Sequence, residues 1–307
     1  MKANPLDFIY QEPYINTKWR EVKLELFKWL TKNSSNLFLR GKDSISRFPE
    51  VVGTHEPAIT SLINHFSDAG YADFLIDVGA NIGLTSCQNG NKFKQVHMFE
   101  PNPYCCKVLE VNSFIALNNT TYKIHNYGLG EENKKSMLTV PRNNWGGAFI
   151  KDELNSYDEN ILVGKDEFQN LAKSNYLTVD IQIRNTTEVL DKLFKELNEK
   201  NLTRGVIKID VEGYEAVVLK GIAGAIPSEF KILIVFESWD SNYDIYPIVK
   251  LFKGRATPYK LLYEAPWKKN WPAVLKGMSL LRNTQITCRV VDNQTGDWSG
   301  DLILLID

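Results

Sequence analysis

The sequence predicts an α/β protein built on a doubly wound, mostly parallel sheet. Short continuous apolar runs are typical of strands that are buried on both faces. Such runs occur at residues 74–78, 96–100, 123–127, 205–210 and 232–237. A glycine-bearing turn follows the first run, and the stretch at 103–117 can form a helix. Strands that alternate with helices in this way indicate β-α-β units and a parallel sheet.

The amino-terminal part of the chain predicts helices that precede this sheet. Residues 18–32 carry apolar side chains at helical spacing, which indicates an amphipathic helix that caps or packs on the core. Residues 56–69 repeat the pattern, with Pro57 in the first turn, where a helix tolerates it. We therefore predict an N-terminal helical cap segment, 1–54, and one α/β domain, 55–307.

The pattern becomes irregular after the third predicted strand and then resumes. Between residues 131 and 178 polar residues dominate, so we expect a long excursion with a helix near 165–174 rather than core. Further helices are predicted at 187–200 and 213–221. The strands that complete the sheet are predicted at 259–263, 284–291 and 301–306.

Composition narrows the classes of partner. Lys and Arg number 36 against 37 Asp and Glu, a formal net charge of -1, so no overall field attracts nucleic acid. The four cysteines include no CxxC pair of the kind that zinc and redox sites use. No apolar run approaches the roughly 20 residues that span a bilayer, and the first residues lack the apolar core of a signal peptide. We therefore expect a cytoplasmic protein with no membrane span and no bound nucleic acid.

The first chemistry-bearing motif lies where the strand at 74–78 turns into a helix. The segment DVGANIG places Gly79, Asn81 and Gly83 at a tight turn, where positive φ and small size let the backbone approach a ligand. A nicotinamide-binding fingerprint requires GxGxxG, and the spacing here is GxNxG. This difference weighs against a dinucleotide, and an ordinary strand-to-helix turn is the alternative.

The second motif is EPNP, from Glu100 to Pro103, directly after the next strand. A carboxylate at this strand end lies beside the crevice above the first turn, where it can accept hydrogen bonds from both ribose hydroxyls. The two prolines fix the loop behind it. A lone glutamate in a turn is usually only solvated, but a turn and an acid on consecutive strands together predict a ribose site.

The third motif, KIDVEGYE, begins at Lys208 within another predicted strand. It places Asp210, Glu212 and Glu215 at the edge of the sheet that faces the ligand crevice. Glu237 ends the following strand at the same edge. Acids gathered in this way repel one another, and either a cation or a proton must relieve the repulsion.

Together the three motifs resemble the FkbM family of S-adenosylmethionine-dependent methyltransferases. DVGANIG, FEPNP and KIDVEGYE occur in that order and spacing, and HEP at 55–57 also resembles the family. The resemblance covers residues 55–240. It implies a Rossmann-like class I methyltransferase sheet of seven strands with an antiparallel last strand. It also implies methyl transfer to a hydroxyl of a sugar, polyketide or lipid, as in carbohydrate biosynthesis.

The resemblance also implies roles for individual residues. The loop from Asp77 to Gly83 would hold the methionine part of the donor, Glu100 its ribose, and Tyr127 and Gly128 would lie near the adenine. The cofactor-binding residues it implies are Asp77, Gly79, Ala80, Asn81, Gly83, Glu100, Pro101, Asn102, Tyr127, Gly128 and Asp210. The catalytic residues we expect are Asp210, Glu212 and Glu237. Many relatives carry a histidine soon after the acid that matches Glu237, whereas this chain has Ser238 and Trp239.

Two ways of activating the acceptor hydroxyl are open. S-adenosylmethionine carries a methyl group primed for displacement, so the protein must align an oxygen with it and remove a proton. Asp210 or Glu212 could act as the general base. Alternatively, Asp210 and Glu237 could hold Mg²⁺ or another divalent cation, which lowers the pKa of the hydroxyl. His55 and His125 are further candidates for contact with the acceptor.

Two other functions compete with methyl transfer to a sugar, glycan or related small molecule. An NAD-dependent oxidoreductase on a Rossmann fold would need the GxGxxG spacing that this chain lacks. A non-catalytic cofactor-binding protein would have no need of acids at the ligand edge of its sheet. Trp145 and Trp239 offer aromatic faces that suit a sugar ring or an adenine, and that suit simple packing equally well.

Overall fold

A computed structural model of the chain describes residues 4–30, 49, 54–155, 157, 161, 172, 174–239, 244–266, 272, 276, 283–291 and 299–307. In chain order its strands are β1 (Ile9–Pro13), β2 (Phe74–Val78), β3 (Gln95–Phe99), β4 (Thr121–His125), β5 (Gly128–Gly130), β6 (Lys134–Pro141), β7 (Phe149–Ile150), β8 (Tyr176–Asn185), β9 (Arg204–Ile209), β10 (Lys231–Ser238), β11 (Ala256–Glu264), β12 (Asn283–Val290) and β13 (Gly300–Ile306). Its α-helices are α1 (Tyr14–Leu30), α2 (Pro57–Asp68), α3 (Leu84–Asn89), α4 (Pro103–Ala116), α5 (Thr186–Glu199), α6 (Glu215–Ala225) and α7 (Tyr246–Leu251).

A nine-stranded sheet forms the centre of the fold, in the order β1-β12-β11-β13-β10-β9-β2-β3-β4. Five neighbouring strands of this sheet, β4-β3-β2-β9-β10, are parallel to one another. Their order in space corresponds to the third, second, first, fourth and fifth strands of a doubly wound sheet. β13 is antiparallel to both of its neighbours, β10 and β11. The five parallel strands together with β13 and β11 confirm the seven-stranded class I methyltransferase sheet. β12 and β1 extend this sheet at one edge.

Apolar side chains alternate between the two faces of this sheet and build a core on each face. On one face Phe74 and Ile76 pack with residues of α5, α6 and α7. On the other face Leu75 packs with α2, whose Leu62 and Phe66 are fully buried. Helices on both faces hold the parallel strands in register, so the loops after β2, β3, β9 and β10 meet at one edge.

The amino-terminal segment joins the large sheet as well as forming a helix. β1 pairs with β12, Ile9 lying opposite Thr287, and Phe8 is buried in the core on the α2 side. α1 confirms the helix predicted from residue 18, although it begins four residues earlier, at Tyr14. The division into segments 1–54 and 55–307 stays a prediction, to which the structure adds an edge strand.

The prediction of an irregular excursion over residues 131–178 was wrong. β6, β7 and the beginning of β8 lie within it, and together with β5 they form a second sheet in the order β5-β8-β6-β7. Leu138, Val140, Ile181 and Ile183 are buried from one face of this sheet. Its other face carries mostly polar side chains, which dilute the apolar pattern and make the segment look like loop. The helix predicted near 165–174 lies almost wholly outside the described residues.

Among the described residues, no helix is both long and apolar enough to cross a membrane.

Candidate active site

The loop between β2 and α3 has the conformation that its glycines predict. Gly79, Asn81 and Gly83 all have positive φ, at 84°, 50° and 86°. A Cβ built on Gly79 would overlap the carbonyl oxygen of Asp210, so a larger residue cannot fit there. The amides of Gly79 and Ala80 both donate to the Phe99 carbonyl oxygen, at 2.9 and 3.0 Å. The loop is thereby fastened to the end of β3.

Glu100 lies at the centre of this arrangement. Its carboxylate accepts hydrogen bonds from the backbone amides of Asn81 and Asn102, each at 2.7 Å, and the residue is 6% exposed. Burial raises the pKa of Glu100 to about 7, and the two amide hydrogen bonds oppose that rise. Each carboxylate oxygen keeps a further lone pair, so Glu100 can accept hydrogen bonds from a ligand while its position is fixed.

Two buried side-chain oxygens, one in β2 and one in the loop after it, have no hydrogen-bond partner in the described part of the chain. Asp77 is 1% exposed, and Ser86 Oγ donates to its Oδ2 at 2.6 Å. Burial raises the pKa of Asp77, a shift that Lys208 and Ser86 oppose. Asp77 Oδ1 and Asn81 Oδ1 are buried and have no hydrogen-bond partner among the described residues. Buried acceptors of this kind usually have a donor, so these two oxygens fit the ammonium group of an amino-acid tail.

A cleft extends from this loop to the smaller sheet. Gly79, Asn81, Glu100, Pro101, Gly128 and Asp210 line it, as do Phe99, Leu129, Leu138, Trp145, Ile183 and Tyr214. The smaller sheet supplies much of the apolar wall, and a Cβ on Gly128 would lie 2.7 Å from Ile183 Cδ1. Apolar lining beside a fixed carboxylate suits a nucleoside, whose base is apolar and whose ribose carries hydroxyls.

The remaining residues predicted to bind the cofactor lie behind the cleft. Asn102 caps α4 by accepting from the Tyr104 amide at 3.0 Å, and Gly83 caps α3 and packs closely on Leu109. Ala80 is buried in the core on the α2 side. Tyr127 does not line the cleft; its ring lies 4.1 Å from the Arg184 guanidinium carbon, and its hydroxyl is 3.1 Å from His125 Nδ1.

Asp210 lies at the end of β9 and has a charged partner. Lys208 Nζ is 2.8 Å from Asp210 Oδ2 and 3.8 Å from Glu56 Oε2. The lysine side chain is only 9% exposed. Burial lowers the pKa of Lys208, but Asp210, Glu56 and Asp77 outweigh burial and hold this pKa above its usual range. Lys208 therefore supplies a positive charge beside Asp210, Glu56 and Asp77.

Glu212 and Glu215 belong to a tightly shaped loop after Asp210. Glu212 has φ +52°, which is uncommon for a residue with a side chain, and its carbonyl accepts from Asn155 Nδ2 at 3.1 Å. Glu215 accepts hydrogen bonds from the amides of Val211 and Gly213, at 3.3 and 2.9 Å. Burial raises the pKa of Glu215 to about 7. Glu215 thus fixes the loop from within.

Glu237 lies at the same edge, beyond Asp210. It is opposite Asp301 of β13, whose Oδ2 accepts from the Tyr263 hydroxyl at 2.7 Å. Tyr157 reaches this edge from the excursion, and its hydroxyl oxygen accepts from the Trp239 amide at 3.2 Å. Within the described part of the chain, no group of three or more His, Cys, Asp or Glu residues is arranged to hold a metal ion.

The two candidate histidines lie in different places. His55 Nε2 is 3.8 Å from Glu56 Oε2 at the start of α2, and burial lowers the pKa of His55, with Lys208 and Asp210 close enough to influence it. His125 stacks on Phe99 at 4.3 Å between ring centroids, behind the cleft. The structure therefore places His55, but not His125, beside the acids at the sheet edge.

Sequence reasoning did not find Glu56, Tyr157, Tyr263 or Asp301. Tyr157 lies in the segment 131–178, which was predicted to be an irregular excursion. Tyr263 and Asp301 belong to predicted strands, but the sequence pattern does not show that these strands lie near β10. The HEP motif at 55–57, one of the segments that resemble the family, is the sequence signal that contains Glu56.

Comparisons with known proteins agree with this geometry. The model of the methyltransferase FkbM domain matches residues 77–254, more than half of the chain. Methyltransferase sdnD of Sordaria araneosa is 29% identical over 179 residues, which are 55% of this chain and 67% of that protein. Methyltransferase 1 of Beauveria bassiana is 28% identical over 158 residues, 48% of this chain and 58% of that one.

Solved structures with a similar chain path include an FkbM methyltransferase of Methylobacillus flagellatus KT. It is 15% identical with a TM-score of 0.35, over 95% of this chain and 61% of that chain. An O-methyltransferase of Bacillus cereus in complex with SAH is 9% identical with a TM-score of 0.38, over 92% of this chain and 100% of that chain.

Proposed function

Because this chain belongs to the FkbM methyltransferase family and is an S-adenosylmethionine-dependent methyltransferase, we propose that it methylates a hydroxyl oxygen of a sugar, a glycan or a related small molecule. The observation that carries the proposal is the juxtaposition of the apolar cleft beside Glu100 with acids at the strand ends. Asp210 lines the cleft and lies beside Lys208, and Glu237 follows on the next strand.

The donor cleft has a distinct group for each part of the cofactor. Glu100 would accept hydrogen bonds from the ribose hydroxyls, with its orientation set by the Asn81 and Asn102 amides. Asp77 Oδ1 and Asn81 Oδ1 would accept from the ammonium of the methionine part. Leu129 and Ile183 would flank the adenine. When bound, S-adenosylmethionine supplies a methyl group on a positively charged sulfur, which needs no further activation.

Asp210 is the residue we propose as the general base. One of its carboxylate oxygens is held by Lys208, which fixes the direction in which the other oxygen faces. The acceptor oxygen forms a bond to the methyl carbon as the carbon–sulfur bond breaks, and the hydroxyl proton passes to the carboxylate. Because the methyl group of the donor is already activated, most of the rate enhancement comes from alignment of the acceptor oxygen with the methyl carbon.

Glu237 and Glu212 complete the acceptor side in this proposal. Glu237 would accept hydrogen bonds from neighbouring hydroxyls of a polyhydroxylated acceptor, for which carboxylates are suitable partners. Glu212 has the positive φ of a residue held in a strained turn, a feature that clusters at functional sites. The alternative mechanism is that Asp210 and Glu237 bind Mg²⁺, which activates the acceptor hydroxyl. Removal of metal distinguishes this mechanism from general-base catalysis by Asp210.

The proposal is tested by methyl transfer itself. The protein is incubated with S-adenosylmethionine and a panel of sugars, glycans and nucleotide sugars, and products are screened for the mass of one added methyl group. With an accepted substrate, Asp210→Asn should reduce turnover by about 10²-fold or more while the affinity for S-adenosylmethionine stays largely intact. Asp191→Asn, on the exposed side of α5, is the matched control and should leave turnover unchanged.

Either of two results would contradict the assignment. An Asp210→Asn enzyme with full turnover would remove Asp210 from catalysis. Methylation of nitrogen or carbon on the product, located by fragmentation, would show that the acceptor is not a hydroxyl.

A further inference from the structure

The outer face of α1 is strongly apolar. Trp19, Val22, Leu26, Trp29 and Leu30 are each between 53% and 69% exposed. The first four are separated alternately by three and four residues, which is the spacing of the contact positions in a coiled coil. Ile15 continues the same row by one step toward the amino terminus. Large apolar side chains exposed in one row mark a surface that another molecule covers.

The opposite face of α1 is already used within the protein. Thr17 Oγ1 donates to Glu12 Oε1 at 2.9 Å, and Arg20 Nη1 donates to the same oxygen at 2.9 Å. Glu12 is buried in β1, and Leu24 and Phe27 on this face of the helix are half-buried. Because these contacts fix the rotation of the helix about its axis, the apolar row is held facing outward.

The charges beside the apolar row identify the occupant. Lys18 and Glu25 occupy the positions that flank a coiled-coil seam on the same side, one near each end of the row. We propose that α1 packs against α1 of a second copy of this chain, antiparallel, about a two-fold axis near Val22. In that arrangement Lys18 lies beside Glu25 of the partner subunit, and the symmetry makes this pair twice.

Other arrangements fit the charges less well. A parallel pair would bring Lys18 beside Lys23 of the partner subunit, and like charges at those positions repel. An anionic membrane surface would attract Lys18 and Lys23 but repel Glu25, which flanks the same row. A helix of 17 residues provides a short seam, so we expect a dimer that dissociates on dilution rather than a permanent one.

Charge exchange tests both the partner and the direction. In sedimentation velocity over a range of concentrations, the wild type should show a reversible monomer–dimer equilibrium. Lys18→Glu and Glu25→Lys should each weaken the dimer by about tenfold, because each creates two like-charge contacts, and the double variant should recover most of the loss. Lys28→Glu, a charge reversal away from the row, is the matched control and should leave the equilibrium unchanged. Leu26→Lys should abolish the dimer.

Each variant is first shown to be folded by its stabilisation with S-adenosylmethionine in a thermal shift measurement. A wild-type protein that stays monomeric at every concentration would overturn the proposal. So would a Lys18→Glu variant that dimerises more tightly, which is the behaviour of a parallel pair. Binding of the monomer to vesicles of anionic lipid, lost in Leu26→Lys, would identify a membrane as the occupant and would equally overturn the dimer.

Discussion

Replacing Glu100 by glutamine should weaken the binding of S-adenosylmethionine without unfolding the protein. The carboxylate accepts from the backbone amides of Asn81 and Asn102, each at 2.7 Å. A glutamine has the same shape but only one acceptor oxygen, and its NH₂ group would face one of these two N–H donors. The loop after β2 would lose one of its attachments, and the ribose would lose one of its acceptors.

The size of the effect follows from these hydrogen bonds. A hydrogen bond to a charged group contributes about 1.5–3 kcal/mol to stability or binding. If about 2 kcal/mol of the loss is expressed on binding, the dissociation constant rises about 30-fold, since 1.4 kcal/mol corresponds to a factor of ten. Glu100→Ala removes both acceptors and leaves both amides without a partner, so it should weaken binding further.

Isothermal titration calorimetry with S-adenosylmethionine and its demethylated product measures this effect directly. The titration is best made near pH 8, where Glu100, with a pKa of about 7, is ionised in the free protein. Glu110→Gln, exposed on α4, is the matched control and should bind as the wild type does. A Glu100→Gln protein with wild-type affinity would show that the carboxylate does not contact the ribose and that the cleft has been assigned wrongly.

Three further outcomes are expected. Gly79→Ala should abolish cofactor binding and lower the free energy of unfolding by about 2 kcal/mol or more, because φ at this position is +84° and the added Cβ would overlap the Asp210 carbonyl. Chemical denaturation measures the loss of stability, with Gly224→Ala in α6 as the control. The ligand-free protein should lose thermal stability as pH rises from about 4.5 to about 7, because Glu100 and Glu215 ionise in the unfolded chain over this range while burial keeps them protonated in the folded protein, and Glu215→Gln should reduce that loss. Turnover should survive exhaustive chelation, because Lys208 already neutralises Asp210; loss of turnover that Mg²⁺ restores would favour the metal version.

Most of the donor cleft could be predicted from the sequence because its residues follow parallel strands. β2 coincides with its predicted run, and the turn after it needs small residues wherever a ligand approaches the backbone. Glu100 then lies beside that turn because adjacent parallel strands end at a common edge. The position of Tyr127 near the adenine stays a prediction; its ring packs against Arg184 and does not line the cleft.

The acceptor side was predicted less well, because its partners come from distant parts of the chain. Lys208 alternates with isoleucines in β9, which shows that it lies on one face but not that it is buried. One of its partners is Glu56, the residue before α2, whose Oε2 lies 3.8 Å from the lysine Nζ. Tyr157 and Asn155 come from the excursion, whose strands carry polar residues on one face and therefore resemble a loop in composition.

The position of β13 determines when this protein can finish folding. β13 enters between β10 and β11, so a central place in the sheet is filled by residues that are synthesised after both neighbours. Until residues 300–306 leave the ribosome, β10 and β11 each present a row of unpaired N–H and C=O groups beside buried apolar side chains. A chain in which β13 has not yet entered the sheet therefore exposes two strand edges of the kind that favour aggregation.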